Sequence, residues 1–83
     1  MLFRRNDSAY ERLRLKLKKT RMGAGLTQAE VARMLGRTQS FISKIETGDQ
    51  RFDFLELQLL ARIYGRSPSY YEDPSVAQLL TPA

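Results

Sequence analysis

This chain contains no cysteine and no histidine. The first absence excludes disulfide staples, a thiolate nucleophile and a cysteine zinc site. The second removes the commonest general base and the commonest metal ligand. Long apolar runs are missing as well. Nothing approaches the roughly 18 residues that a membrane helix needs, and Met1-Leu-Phe-Arg-Arg is not followed by the apolar stretch of a secretory signal. There is no internal repeat and no low-complexity tract. Gly23-Ala-Gly25 lacks the Gly-Lys-Ser/Thr ending of a phosphate loop, and Glu72-Asp73 is an adjacent acidic pair, not a facing one. These absences predict a protein that is not an enzyme, uses no cofactor and no metal, and stays in the cytoplasm.

What is present describes one small folded domain. Of 83 residues 42 % are apolar, and 14 basic side chains oppose 9 acidic ones. A chain so composed folds and stays soluble. A domain of this size buries only about 60 % of its unfolded surface, so the core is small. The charge is uneven. Residues 1–21 hold eight basic side chains against Asp7 and Glu11, residues 22–66 are close to balance, and residues 67–83 hold only Glu72 and Asp73. A basic end beside a mildly acidic tail suits a polyanionic partner, with nucleic acid ahead of a membrane.

Helix starts are well marked. Ser8-Ala-Tyr-Glu11, Thr27-Gln-Ala-Glu30 and Asp53-Phe-Leu-Glu56 each set a capping side chain three residues before a glutamate. In that spacing the cap oxygen takes a first-turn N–H and the glutamate reaches back to the cap's own N–H. Ser67-Pro68 suggests a further start. Gly23, Gly25, Gly36, Gly48 and Gly65 mark the stops. The reading is five helices, at about 9–22, 28–35, 39–47, 54–64 and 68–73, with boundaries good to roughly 2–4 residues. Leu13, Leu15 and Leu17 alternate as in a strand, but Tyr10, Leu13 and Leu17 also fall on one helical face. Helix is preferred, and Leu15 is left pointing away from that face. The organisation is a basic arm over 1–7, a domain over 8–73 and a tail over 74–83.

The most informative stretch is Gln28 to Thr47. Ala32 lies midway along the second helix, Gly36 follows by four residues, and Ile42 and Ile45 lie inside the third. Two helices crossing steeply approach closest where only a small side chain fits, and the short turn between them needs a residue that accepts positive φ. This is the spacing of a helix-turn-helix.

The segment LTQAEVARMLGRTQSFISKIETG resembles the helix-turn-helix of the phage repressor/Cro (XRE-type) family, and the likeness extends over about residues 9–72. It rests on Leu26-Thr27-Gln28, Gln39-Ser40, the Ile42-Ser-Lys-Ile45-Glu46 body and Leu60-Ala61…Gly65. The resemblance implies an all-α, compact five-helix bundle, the lambda repressor-like DNA-binding domain, that binds double-stranded DNA as a homodimer. It implies that Gln28 binds a phosphate and braces Gln39. Thr38, Gln39, Ser40 and Lys44 would meet base edges in the major groove, with Ser43 and Arg37 close to the DNA backbone. Arg51 would contact a phosphate, and Arg21 and Glu46 would form a buried salt bridge. Phe52 departs from the pattern, since many relatives have proline there. Gly23-Ala-Gly25 predicts a loose connection between the first two helices.

The chemistry of the residues agrees. From Val31 to Ile45 no acidic residue occurs, while Arg33, Arg37 and Lys44 do. The third helix has no glutamate in its first turn, so its N–H groups and positive dipole end suit an anion. Gln39 can pair in a bidentate way with adenine, and Lys44 can donate to guanine. Thr38 is also the natural N-cap of that helix, and Phe41 suits packing on the second helix.

The fourth helix carries more apolar residues than one face needs. Phe54, Leu57, Leu60, Ala61 and Tyr64 form the stripe expected to face the core; Leu55, Leu59 and Ile63 form a second stripe. Two coverings satisfy it. One is a two-fold dimer through Leu55, Leu59, Ile63, Tyr70, Tyr71, Leu79 and Leu80; the other is the chain's own tail. The function expected is a sequence-specific transcriptional regulator, a repressor on a palindromic operator. The competing functions are an antitoxin-type protein that also holds a protein partner, and a helix-turn-helix module that binds protein alone.

Overall fold

The computed structural model describes residues 8–73. The chain forms α1 (Ser8–Gly23), α2 (Gln28–Leu35), α3 (Gln39–Thr47) and α4 (Phe54–Ile63), followed by a 3₁₀ turn at Pro68–Tyr71. Among the described residues there is no strand. Nor is any helix there long and apolar enough to cross a membrane. The basic arm and the tail, with Leu79 and Leu80, lie outside the described residues.

The expectation of five helices is corrected: the fold has four α-helices and one short 3₁₀ turn. Pro68 does begin a helical turn, but Ser67 supplies no side-chain cap; its Oγ lies 2.6 Å from Ser69 Oγ instead. Glu72 is already extended, and Pro74 disfavours helical backbone at Asp73. A run of four residues is typical of a 3₁₀ turn.

Local signals operate at two of the starts. Thr27 and Asp53 each accept the N–H of the glutamate three residues on, at 3.1 and 2.8 Å, and each glutamate returns a bond to the cap's N–H. Leu26 and Phe52, one residue before these caps, pack against the core. They stand where a hydrophobic staple stands, five residues ahead of Val31 and Leu57, the fourth helical positions. The helix 1–2 connection is not loose. Leu26 N–H donates to Arg21 O at 3.2 Å, and Arg21 Nη1 donates to Leu26 O at 2.8 Å.

Leu17, Val31, Ala32, Ile42, Ile45, Leu60, Ala61, Tyr64 and Tyr71 form the core. Ala32 and Ile42 are buried where α2 meets α3, with Gly36 at φ 73° in the turn. Burial raises the phenol pKa values of Tyr10, Tyr64 and Tyr71 above the ordinary tyrosine range. Tyr71 Oη lies 2.9 Å from Thr20 Oγ1, which fastens the 3₁₀ turn to α1.

One core assignment on α4 reverses. Phe54, expected inside, is 66 % exposed. It is the first residue of α4, and a helical side chain leans toward the turn preceding its own Cα. Phe52 packs against the core instead, its ring stacked on Tyr10 with centroids 6.0 Å apart. The inward stripe is therefore Leu57, Leu60, Ala61 and Tyr64. The outward one is Phe54, Leu55 and Leu59; Ile63 packs against the core.

Gly48 closes α3 at φ 90°, and a Cβ there would lie 3.0 Å from Arg14 Nε. Gly36 has a similar φ but open space around it. The left-handed conformation alone costs a side chain about 1–2 kcal/mol. Gly36→Ala is expected to show that cost and Gly48→Ala a larger one, because Arg14 must also move. Urea midpoints of the two variants check the order.

Candidate nucleic-acid interface

α3 presents two faces of different character. Ile42, Ile45 and Glu46 are buried; Gln39, Ser40 and Lys44 are exposed, and Ser43 is half-buried beside them. The helix starts at Thr38, whose Oγ1 accepts the Phe41 N–H at 3.1 Å. No acidic residue occupies its first turn, whereas α1, α2 and α4 carry Glu11, Glu30 and Glu56 there. The first N–H groups of a helix have no partner inside it and carry partial positive charge. This end of α3 therefore favours an anion. The side chains beside it supply amide, hydroxyl and ammonium donors.

Behind the exposed face lies a buried charged node. Arg21 Nε donates to Glu46 Oε2 at 2.6 Å and Arg21 Nη2 to Oε1 at 3.1 Å. Gln28 Nε2 donates to the same Oε1 at 3.0 Å, and Arg14 Nη1 donates to the Glu46 carbonyl at 2.8 Å. The side chain of Glu46 is only 4 % exposed. Donating to the Glu46 carboxylate, whose charge adds to the effect, raises the pKa of the Arg21 guanidinium further. One carboxylate thus ties α1 and the start of α2 to the inner side of α3. Gln28, expected to brace Gln39, is turned to Glu46 instead.

The turn between α2 and α3 is held from the other side. Arg37 lies over the Phe41 ring, 4.3 Å from its centroid, and its Nη2 donates to Glu56 Oε2. The other oxygen of Glu56 caps α4 at Asp53. Phe41 itself packs against the core. Arg37 is therefore engaged in fixing the turn, on a half-exposed side chain. Arg51 is exposed in the α3–α4 loop, with its guanidinium 5.5 Å from the Tyr10 ring centroid. Tyr10 Oη donates to Gln50 O at 3.3 Å and pins that loop to α1.

The interface residues named on α4 and beyond separate. Leu55 and Leu59 are exposed, at 61 % and 42 %. Tyr71 is buried in its own core, and Ile63 packs against that core, so neither offers an open surface. Tyr70 stands between the cations of Lys16 and Arg66.

Three contributors escaped the sequence reading: Arg14, Glu56 and Tyr10. Arg14 counted only as part of a general positive field, although its spacing of seven from Arg21 sets both on one face of α1. Glu56 counted only as a cap. Tyr10 counted as core, and nothing local signals its bond to a carbonyl forty residues away.

The family model described as Helix-turn-helix matches residues 17–71. Among solved structures, an XRE-family like protein from Pseudomonas syringae pv. tomato str. DC3000 is similar at 37 % identity. That alignment covers 90 % of this chain and 89 % of the other, with a TM-score of 0.73. The clp gene regulator ClgR from Corynebacterium glutamicum is similar in fold at 22 % identity, over 78 % of this chain and 69 % of that one, with a TM-score of 0.72. The wild-type restriction-modification controller protein C.Esp1396I shares the fold at 20 % identity, over 92 % and 100 % of the two chains, also with a TM-score of 0.72. No curated protein matches in sequence.

Proposed function

This chain belongs to the XRE-type helix-turn-helix family, and from that membership we propose that it is a DNA-binding transcription regulator. In a helix-turn-helix the second helix enters the major groove with its N-terminal residues against base edges. The observation that carries the reading is the exposed, carboxylate-free start of α3, a helix whose other end is tied to α1 and α2 through Glu46. Gln39 reads adenine through its amide, and Ser40 and Lys44 donate to neighbouring bases. Thr38 and Ser43 lie at the edges of that contact. Gln28 and Arg51 contact phosphate, while Arg37 fixes the turn and adds positive potential. ClgR and the controller protein are regulators by their names, which agrees with this reading.

The proposed assembly is a homodimer on a palindromic operator, acting as a repressor by occluding a promoter. The exposed Phe54, Leu55 and Leu59 form its two-fold contact. Two copies of α3 would then meet half-sites about 10 bp apart. The protein so read is a binding protein and not an enzyme, and it works in the cytoplasm on the nucleoid.

Selection from a random duplex pool tests the proposal. A palindromic site bound roughly 10³-fold above a scrambled duplex is the expected result. Gln39→Ala should then cost about 1–3 kcal/mol on that site and relax one base position. Arg51→Ala should weaken all sequences evenly and lower the salt slope. Enrichment of a lone half-site would refute the dimer. Equal, salt-sensitive binding of every duplex would refute base reading.

A further inference from the structure

The side of α1 remote from α3 carries a second, separate site. Arg14 and Arg21 reach toward α3, while Arg12, Lys16 and Lys19 stand two residues away from them in sequence and so more than half a turn round the helix. They border an open groove of about 490 Å³, closed on its far side by Tyr64, Arg66 and Tyr70. Among the described residues that line it there is no carboxylate, but Arg12 is paired with Asp73 at its edge, Nε to Oδ2 at 2.6 Å, so the cations open to a ligand are Lys16, Lys19 and Arg66. Leu15, the leucine that fits no inward face of α1, lies in this groove and is 45 % exposed.

Two of these cations are held by Tyr70. Lys16 Nζ donates to Tyr70 O at 3.0 Å and lies 4.9 Å from the Tyr70 ring centroid; the Arg66 guanidinium lies 4.5 Å from the same centroid. Tyr71 meets the Tyr70 ring edge-on at 5.4 Å. Surface lysines and arginines normally lose rotamer freedom when they take a ligand. Here that loss is partly made already, which raises what an anion gains.

We infer that this groove binds an acidic peptide segment of a partner protein, with carboxylates on Lys16, Lys19 and Arg66 and an apolar side chain on Leu15. Charge complementarity selects an anion, and the ring geometry selects peptide over single-stranded nucleic acid. Unpaired bases bind by stacking on open aromatic faces. The Tyr70 ring is already flanked by two cations, and Tyr64 is buried. The apolar contacts left on offer are the aliphatic Leu15 and the part of Tyr70, 41 % exposed, that the two cations leave open.

Fluorescence anisotropy on the full chain tests this, with a labelled peptide of repeated Glu-Glu-Leu triplets and its Gln-Gln-Leu counterpart. The acidic peptide should bind saturably and about tenfold or more tightly than the neutral one. Lys19→Glu should weaken it about tenfold and Leu15→Ser about threefold, while Lys44→Glu, the same charge change on α3, should leave it within about twofold. Lys19 and Leu15 are exposed, and circular dichroism checks that both variants keep their helices. Equal losses in Lys19→Glu and Lys44→Glu would reduce the groove to a general positive field and overturn the inference. Unchanged binding in Leu15→Ser would overturn it too, as would displacement of the peptide by a single-stranded oligonucleotide. Duplex selection with the Lys19→Glu chain separates this site from the reading of α3. Lost peptide binding with retained base preference supports the groove; peptide binding by a wild-type chain that selects no DNA defeats only the α3 reading.

Discussion

Replacing Glu46 by alanine is expected to cost the fold about 3–5 kcal/mol, because it leaves a buried guanidinium without its counter-charge. Arg21 makes two bonds to the Glu46 carboxylate and one to the Leu26 carbonyl, so alanine removes two of its three. Gln28 loses its partner as well. Small domains have only about 5–15 kcal/mol of stability in all. A loss of this size is a large share, and for a domain of this length each kcal/mol lowers the melting temperature by about 4–8 °C. Urea unfolding followed by circular dichroism measures it as a lower midpoint at unchanged slope. The double replacement Arg21→Met with Glu46→Leu should recover most of the loss, since apolar groups of similar volume often replace a buried ion pair at little cost. A single variant as stable as wild type would mean that water reaches Arg21 in solution.

The second large effect is expected at Leu17. It is 1 % exposed in the middle of α1, and its replacement by alanine should cost about 2–5 kcal/mol as lost transfer free energy plus a cavity. Leu59→Ala, on the open side of α4, should stay within about 0.5 kcal/mol for the isolated chain. The contrast between two leucines on two amphipathic helices checks which face of each is inward. A cost below about 1 kcal/mol at Leu17 would show that the site collapses freely, against the close packing of a protein interior.

These two residues mark how legible the chain was. The helix-turn-helix could be read from Ala32, Gly36, Ile42 and Ile45, because the steep crossing of two helices requires small, flexible and apolar residues at fixed intervals. The caps at Thr27 and Asp53 could be read too, since each bond spans three residues. The fifth helix could not. Ser67-Pro68 has the composition of a start, but composition does not show that Ser67 would turn to Ser69 and leave the turn uncapped. Phe54 was expected in the core and Phe52 only as a departure from a family proline; in the fold Phe52 packs inward on Tyr10, more than forty positions earlier, and Phe54 is exposed. Leu15 had no place on a helical wheel until the 3₁₀ turn and the end of α4 formed a groove beside it.

The sequence by itself determined where the four α-helices lie, where α2 and α4 begin, that two helices meet as a helix-turn-helix, and that α3 carries no carboxylate at its start. Each of these depends on residues a few positions apart, whose relative geometry the backbone already dictates. The tertiary structure alone decided that Glu46 gathers Arg14, Arg21 and Gln28, that Arg37 is held by Glu56, and which side of α4 faces out. The hydrogen bonds among them join residues that are 18 to 32 positions apart. For such pairs the partner is set by which faces the packed helices bring together, and burial of the most apolar stripe outweighs any single local preference.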